Sequence, residues 1–154
     1  MTTAREGRSA DLWLAAFVAW TLFVWVGRIR NVLADPGEWG TDRWVPLALS
    51  LSFLVAVAAV ALTWWRRRGA VDRSRSDRAH RVALWVLAGW TTVVWVLRAG
   101  DIALTSDRGA AFVAVHVVLA VVSIGLAAGA LAAERRARNA LHTAAPIASH
   151  PGRS

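Results

Sequence analysis

The chain has 154 residues, of which 56% are hydrophobic and 18% charged, and its mean hydropathy is +0.43. So apolar a balance excludes an ordinary soluble domain and argues against a soluble enzyme. No Cys is present, which removes disulfides, thiolate metal sites, iron–sulfur clusters and cysteine nucleophiles, and the formal charge of +8 rests on Arg alone.

In chain order, residues 1–11 form a polar N-terminal segment, and four apolar runs follow at residues 12–27, 44–65, 82–97 and 110–133. As helices, the second and fourth exceed the roughly 30 Å of a hydrocarbon core at about 1.5 Å per residue. The first and third have 16 residues each. They need two more turns, to Leu33 and Leu104, which carries Arg28, Arg30 and Asn31, or Arg98 and Asp101, to the bilayer edge where Arg side chains snorkel. Polar signals at Ser9-Ala10-Asp11, Thr41-Asp42-Arg43, Ser76-Asp77-Arg78 and Ser106-Asp107-Arg108 mark the expected helix starts. Pro46 is expected in the first turn of the second helix, where a missing N–H does no harm.

The expected fold is all-α: four transmembrane helices arranged as two hairpins, residues 12–68 and 82–138. An Arg-rich loop, 69–81, joins them, and a disordered tail, 139–154, follows. Thirteen Arg residues lie in the N-terminal segment, in residues 66–81 around the middle loop and from residue 135 to the end of the tail, against five in the other two loops and their helix ends. The positive-inside rule then places both termini and the middle loop in the cytoplasm, making this a multi-pass plasma-membrane protein. Val32-Leu33-Ala34 has small residues where a signal peptidase cuts, but the Arg residues before it argue against cleavage.

The chain repeats itself. Residues 20–28, WTLFVWVGR, recur seventy positions later as WTTVVWVLR, identical at six of nine positions. Two helices per copy give both copies the same orientation, a parallel repeat. The repeat preserves a stripe on one helix face: Thr21, Trp25 and Arg28 in the first copy, Thr91, Trp95 and Arg98 in the second. The expected account of this stripe is an aromatic belt at the membrane interface with snorkelling Arg, the alternative being a binding surface. Among the ten Trp residues, Trp13, Trp39, Trp44, Trp64 and Trp65 are placed as interface anchors, and Trp20 and Trp90 as packing residues.

Residues 90–98, followed by Phe112-Val113-Ala114-Val115-His116-Val117-Val118-Leu119 and Ser123, resemble an uncharacterised family of small actinobacterial membrane proteins. These have two helices, an outer loop and a Val-His pair in the second helix. The resemblance covers mainly residues 82–138 and more weakly 12–68, where Leu51 or Ala48 stands in place of His116, depending on the alignment offset. It implies membrane residence and a tandem duplication. Because the family has no assigned activity, it implies no function.

His116 is the sharpest polar feature, an ionisable group about two turns into an apolar helix. Ser123 shares its face, and Arg98 and Asp101 are its candidate partners at the same outer depth. The expected role is either a hydrogen bond that fixes helix register, or proton handling and external pH sensing. Arg28, Asn31, Arg98, Asp101, His116 and Ser123 thus form the candidate polar cluster. Gly125 and Gly129 make a small-residue step for close helix packing, within the bundle or against another subunit. The Arg-rich loop is first a topology signal and second a contact for anionic lipid head groups, and no nucleic-acid-binding motif accompanies it. No residue set points to a catalytic, metal or cofactor site. By elimination, the expectation is a non-catalytic accessory or structural bundle that self-associates or joins other membrane proteins. The alternative is a small proton- or ion-coupled transporter or pH sensor using His116.

Overall fold

The computed structural model describes residues 2–37, 40–69, 73–104 and 109–144. Four helices account for nearly all of them: α1 (Thr2–Ala34), α2 (Thr41–Gly69), α3 (Arg73–Leu104) and α4 (Ala110–Ala144). No strand occurs among the described residues, so the protein is an all-α four-helix chain, and each helix is long and apolar enough to cross a membrane. With 33, 29, 32 and 35 residues, the helices are roughly 44 to 53 Å long, so each exceeds a hydrocarbon core by several turns.

The helix ends follow backbone chemistry more than the capping signals. α1 and α3 continue past their Arg residues to Ala34 and Leu104. Their starts lie earlier than Ser9 and Ser76, a correction to the expected caps: Ala, Arg and Glu are good helix formers, no Pro interrupts residues 2–10 or 73–77, and the one Gly, Gly7, is tolerated within the helix. α2 does begin at Thr41, where the Gly40 carbonyl accepts from the Arg43 and Trp44 amides. Pro46 therefore sits in the second turn, not the first, and leaves the Asp42 carbonyl without its usual donor. Ser106-Asp107-Arg108 lies outside the described residues, and α4 opens instead on the Gly109 carbonyl, which accepts from Phe112 and Val113. The helix also runs through residues 139–144, so the tail expected to be disordered is helical that far; the remainder lies outside the described residues.

Among the described residues the helix backbones approach closely only between ring neighbours, α1–α2–α3–α4 and back to α1, and the Arg67–Glu134 ion pair reaches across the α2–α4 diagonal. Neighbours are antiparallel: Asp11 meets Trp64, and Trp13 meets Gly129, at one end of the ring, where α1 and α3 start and α2 and α4 stop. This is the Arg-rich end. The core joins Phe17, Phe53, Leu84 and Leu87, all nearly or wholly buried, to a small-residue face of α4 at Ala120, Ser123, Ala127, Ala130 and Ala133. Small residues there let neighbouring backbones approach closely. Phe53 stacks on Trp25 at a centroid distance of 4.0 Å.

The outer surface is apolar on every helix, with Phe23, Val55, Val93, Leu97 and Val121 exposed. So continuous a band of large aliphatic and aromatic side chains is what lipid tails cover at no cost and water does not.

Candidate functional site

Polar side chains gather at three depths. At the end opposite the Arg-rich one, Arg98 bonds Asp101 at 2.8 Å, one turn along α3. Arg98 and His116 line a shared cavity of about 110 Å³ between α3 and α4, walled by Trp95, Ile102 and Val113. The His116 Nδ1 donates to the Phe112 carbonyl one turn back, at 2.8 Å, which leaves Nε2 as the second ring nitrogen to serve other groups. Its ring lies 4.0 Å from that of Phe112. Arg28 is close enough to Arg98 to feel its charge, and among the described residues no carboxylate pairs with it. Asn31 is exposed on α1. The structure thus brings Arg28, Arg98, Asp101 and His116 to one end, while Ser123 belongs elsewhere.

At mid-depth, two indoles reach across the hairpins. Trp20 Nε1 on α1 donates to Ser123 Oγ on α4 at 2.9 Å, and Trp90 Nε1 on α3 donates to Ser52 Oγ on α2 at 3.0 Å. Beside them Thr21 and Thr91 are buried, and each hydroxyl bonds the carbonyl four residues back, Phe17 and Leu87. Trp25 and Trp95 are 5% and 6% exposed. The lipid-facing belt expected of the Thr–Trp stripe is therefore corrected: the stripe faces the ring's interior, where Trp25 stacks on Phe53. Hydrogen bonds of this kind inside a membrane are worth about 0.6 kcal/mol on average and up to about 1.7.

At the Arg-rich end, a network joins three helices. Asp11 on α1 accepts from Trp64 Nε1 at 2.9 Å and from Arg68 at 3.4 Å, and the Arg68 guanidinium lies 3.6 Å over the Trp64 ring. Arg67 bonds Glu134 on α4 at 3.0 Å, with Asp11 at 4.0 Å. The Arg67 and Glu134 side chains are mostly buried, so this pair is screened less than a surface one. Beside it His80 is 0% exposed; its Nδ1 lies 3.3 Å from Thr63 Oγ1, and its Nε2 has no hydrogen-bond partner among the described residues. Trp64 is thus a hydrogen-bonding member of the network rather than a simple interface anchor. Trp13 is partly exposed and also packs, since its indole lies where a Cβ at Gly129 would sit, while Gly125 has open space beside it. Trp39 lies outside the described residues.

The sequence offered a signal for the mid-depth bonds. Ser52 and Ser123 stand one position off the seventy-residue spacing that relates Trp20 to Trp90, so both partners recur together. Nothing comparable marked the Asp11–Arg67–Glu134 network, whose members come from three distant segments. The burial pattern also sets the offset between hairpins, because Ser50, Phe53, Val57 and Val60 correspond at seventy residues to Ala120, Ser123, Ala127 and Ala130. By that spacing Pro46, not Leu51 or Ala48, stands opposite His116.

No family model, curated protein or solved structure matches the chain.

Proposed function

We propose that the chain is a small, non-catalytic integral protein of the plasma membrane, an accessory or structural bundle that self-associates or joins a larger membrane complex. In this reading it is a tandem duplication of one hairpin, akin to the two-helix actinobacterial proteins its second half resembles, with both termini and the Arg-rich end in the cytoplasm. One observation carries the proposal: the polar bonds between helices, in the paired Trp–Ser bonds and the Asp11–Arg67–Glu134 network, join the helices to one another, while the outer surface is apolar. Groups that hold a bundle together suit a scaffold better than a substrate path. With Gly129 occupied by Trp13, the face left for another subunit on α4 is the one around Gly125.

Native mass spectrometry of the protein extracted in mild detergent tests the role. A defined homo- or hetero-oligomer supports it, and a lone monomer counts against it. Because the chain has no Cys, single introduced cysteines report its orientation cleanly. With a membrane-impermeant maleimide on intact cells, Gly37→Cys should label at once and Gly69→Cys only after lysis; the opposite pattern would reverse the topology.

A second reading, proton-coupled transport or external pH sensing, is favoured by the cavity that Arg98 and His116 share. If His116→Ala and Asp101→Asn abolish a proton-coupled flux in liposomes, that reading replaces the first.

A further inference from the structure

Between α2 and α3, at the Arg-rich end, the outer surface is indented by a groove of about 540 Å³, within the size range of small-ligand sites. Its walls are Ala56 and Ala59 on α2 and Ala83 and Val86 on α3, and its mouth carries Arg75 and Arg78, both exposed and on one face of α3. From Arg75 to Val86 the helix rises about 16 Å, the depth of one leaflet's hydrocarbon.

The neighbouring face of the ring shows what fills such a groove when protein does. Shifted by the seventy residues that superimpose Trp20 on Trp90, Ala83 corresponds to Trp13 and Ala59 to Gly129. Between α1 and α4 the Trp13 ring lies against Gly129; between α2 and α3 two alanines stand at those positions and the space is open.

We infer that this groove is a binding site for one anionic phospholipid, with its phosphate at Arg75 and Arg78 and an acyl chain along Ala59, Ala83 and Val86. The occupant is fixed by charge and shape together. Two guanidiniums at headgroup depth favour a phosphate, and the alanine walls below them offer contact to a chain and no hydrogen bond. A second parallel copy of this protein would bring its own Arg-rich end against these arginines. The inference rests on the proposed membrane residence and not on the accessory role.

The test is native mass spectrometry of the full-length protein in mild detergent with added dioleoylphosphatidylglycerol, dioleoylphosphatidylcholine or glycerol phosphate. One phosphatidylglycerol should be retained in preference to phosphatidylcholine, and glycerol phosphate should not bind. Retention should fall about fivefold or more in Arg75→Gln/Arg78→Gln. It should fall similarly in Ala59→Gly/Ala83→Trp, which copies the Trp13–Gly129 packing without changing charge. Ala83→Leu, a smaller filling, provides the same test should the indole disturb folding. Equal retention of the two lipids, binding of glycerol phosphate alone, or full retention by the filled-groove variants would each overturn the site. Carbonate extraction of native membranes separates the premises: a protein released by carbonate refutes membrane residence, whereas a resistant protein without phosphatidylglycerol preference refutes the groove alone.

Discussion

At Gly129 a single hydrogen atom separates a close helix contact from a collision, because an added methyl would overlap the Trp13 ring. Gly129→Ala should lower stability by about 1–3 kcal/mol, the usual cost of overpacking, and Trp13→Ala in the same chain should recover part of the loss. Gly125→Ala meets nothing, so it should be neutral or stabilising by up to about 1 kcal/mol through helix propensity. Unfolding of the variants in detergent, followed by circular dichroism, distinguishes the two glycines. The sequence marks them as one motif, since spacing shows that both are small but not which has a neighbour. Trp25 and Trp95 show the same limit. Their recurrence and shared face are legible, but not the direction of that face, because lipid and protein interior are equally apolar and hydropathy assigns a side chain to neither.

Each hairpin is tied to the other by one mid-depth indole, so the elements should respond separately. Trp20→Phe keeps the ring and removes the donor to Ser123, and Trp90→Phe does the same at Ser52. Each should cost about 0.6 kcal/mol, up to about 1.7, and the double variant about the sum, measured by denaturant titration in mixed micelles. A larger double effect would mean that the two links form one cooperative unit. At the Arg-rich end, Glu134→Gln leaves Arg67 with Asp11 at 4.0 Å as its remaining carboxylate. It should cost about 1 kcal/mol, given the part exposure of the pair, and the exchange Arg67→Glu/Glu134→Arg should restore some of it. The lengths of α1 and α3 were legible, because apolar runs of 16 residues fall short of a bilayer and had to extend past their arginines. Their starts were not. Ser, Thr and Asp cap a helix only where the backbone already leaves it, and Asp11 is engaged instead with Trp64 and Arg68 on another helix.

For the whole molecule, hydropathy reveals how many helices there are and roughly where they lie, since each apolar run carries its own signal. The order around the ring carries none. Nothing local says that α1 lies beside α4 rather than α3; that choice is made by pairs such as Trp13 with Gly129 and Trp20 with Ser123, more than a hundred residues apart. The outer surface joins the two levels, because a band apolar on all four helices leaves the interior polar side chains to find their partners within the bundle.

The α1–α4 seam has a further consequence. The ring is closed by side chains, and its first and last helices lie side by side at the same end as the α2–α3 connection. Covalent continuity at that connection is thus one of two equivalent ways of holding the halves together. A chain cut between Gly69 and Arg73, or one permuted so that Ala144 is linked to Thr2 and the break lies at that cut, should reassemble into the same bundle. Co-purification of a tag on one fragment with the other would measure how far the seam alone suffices.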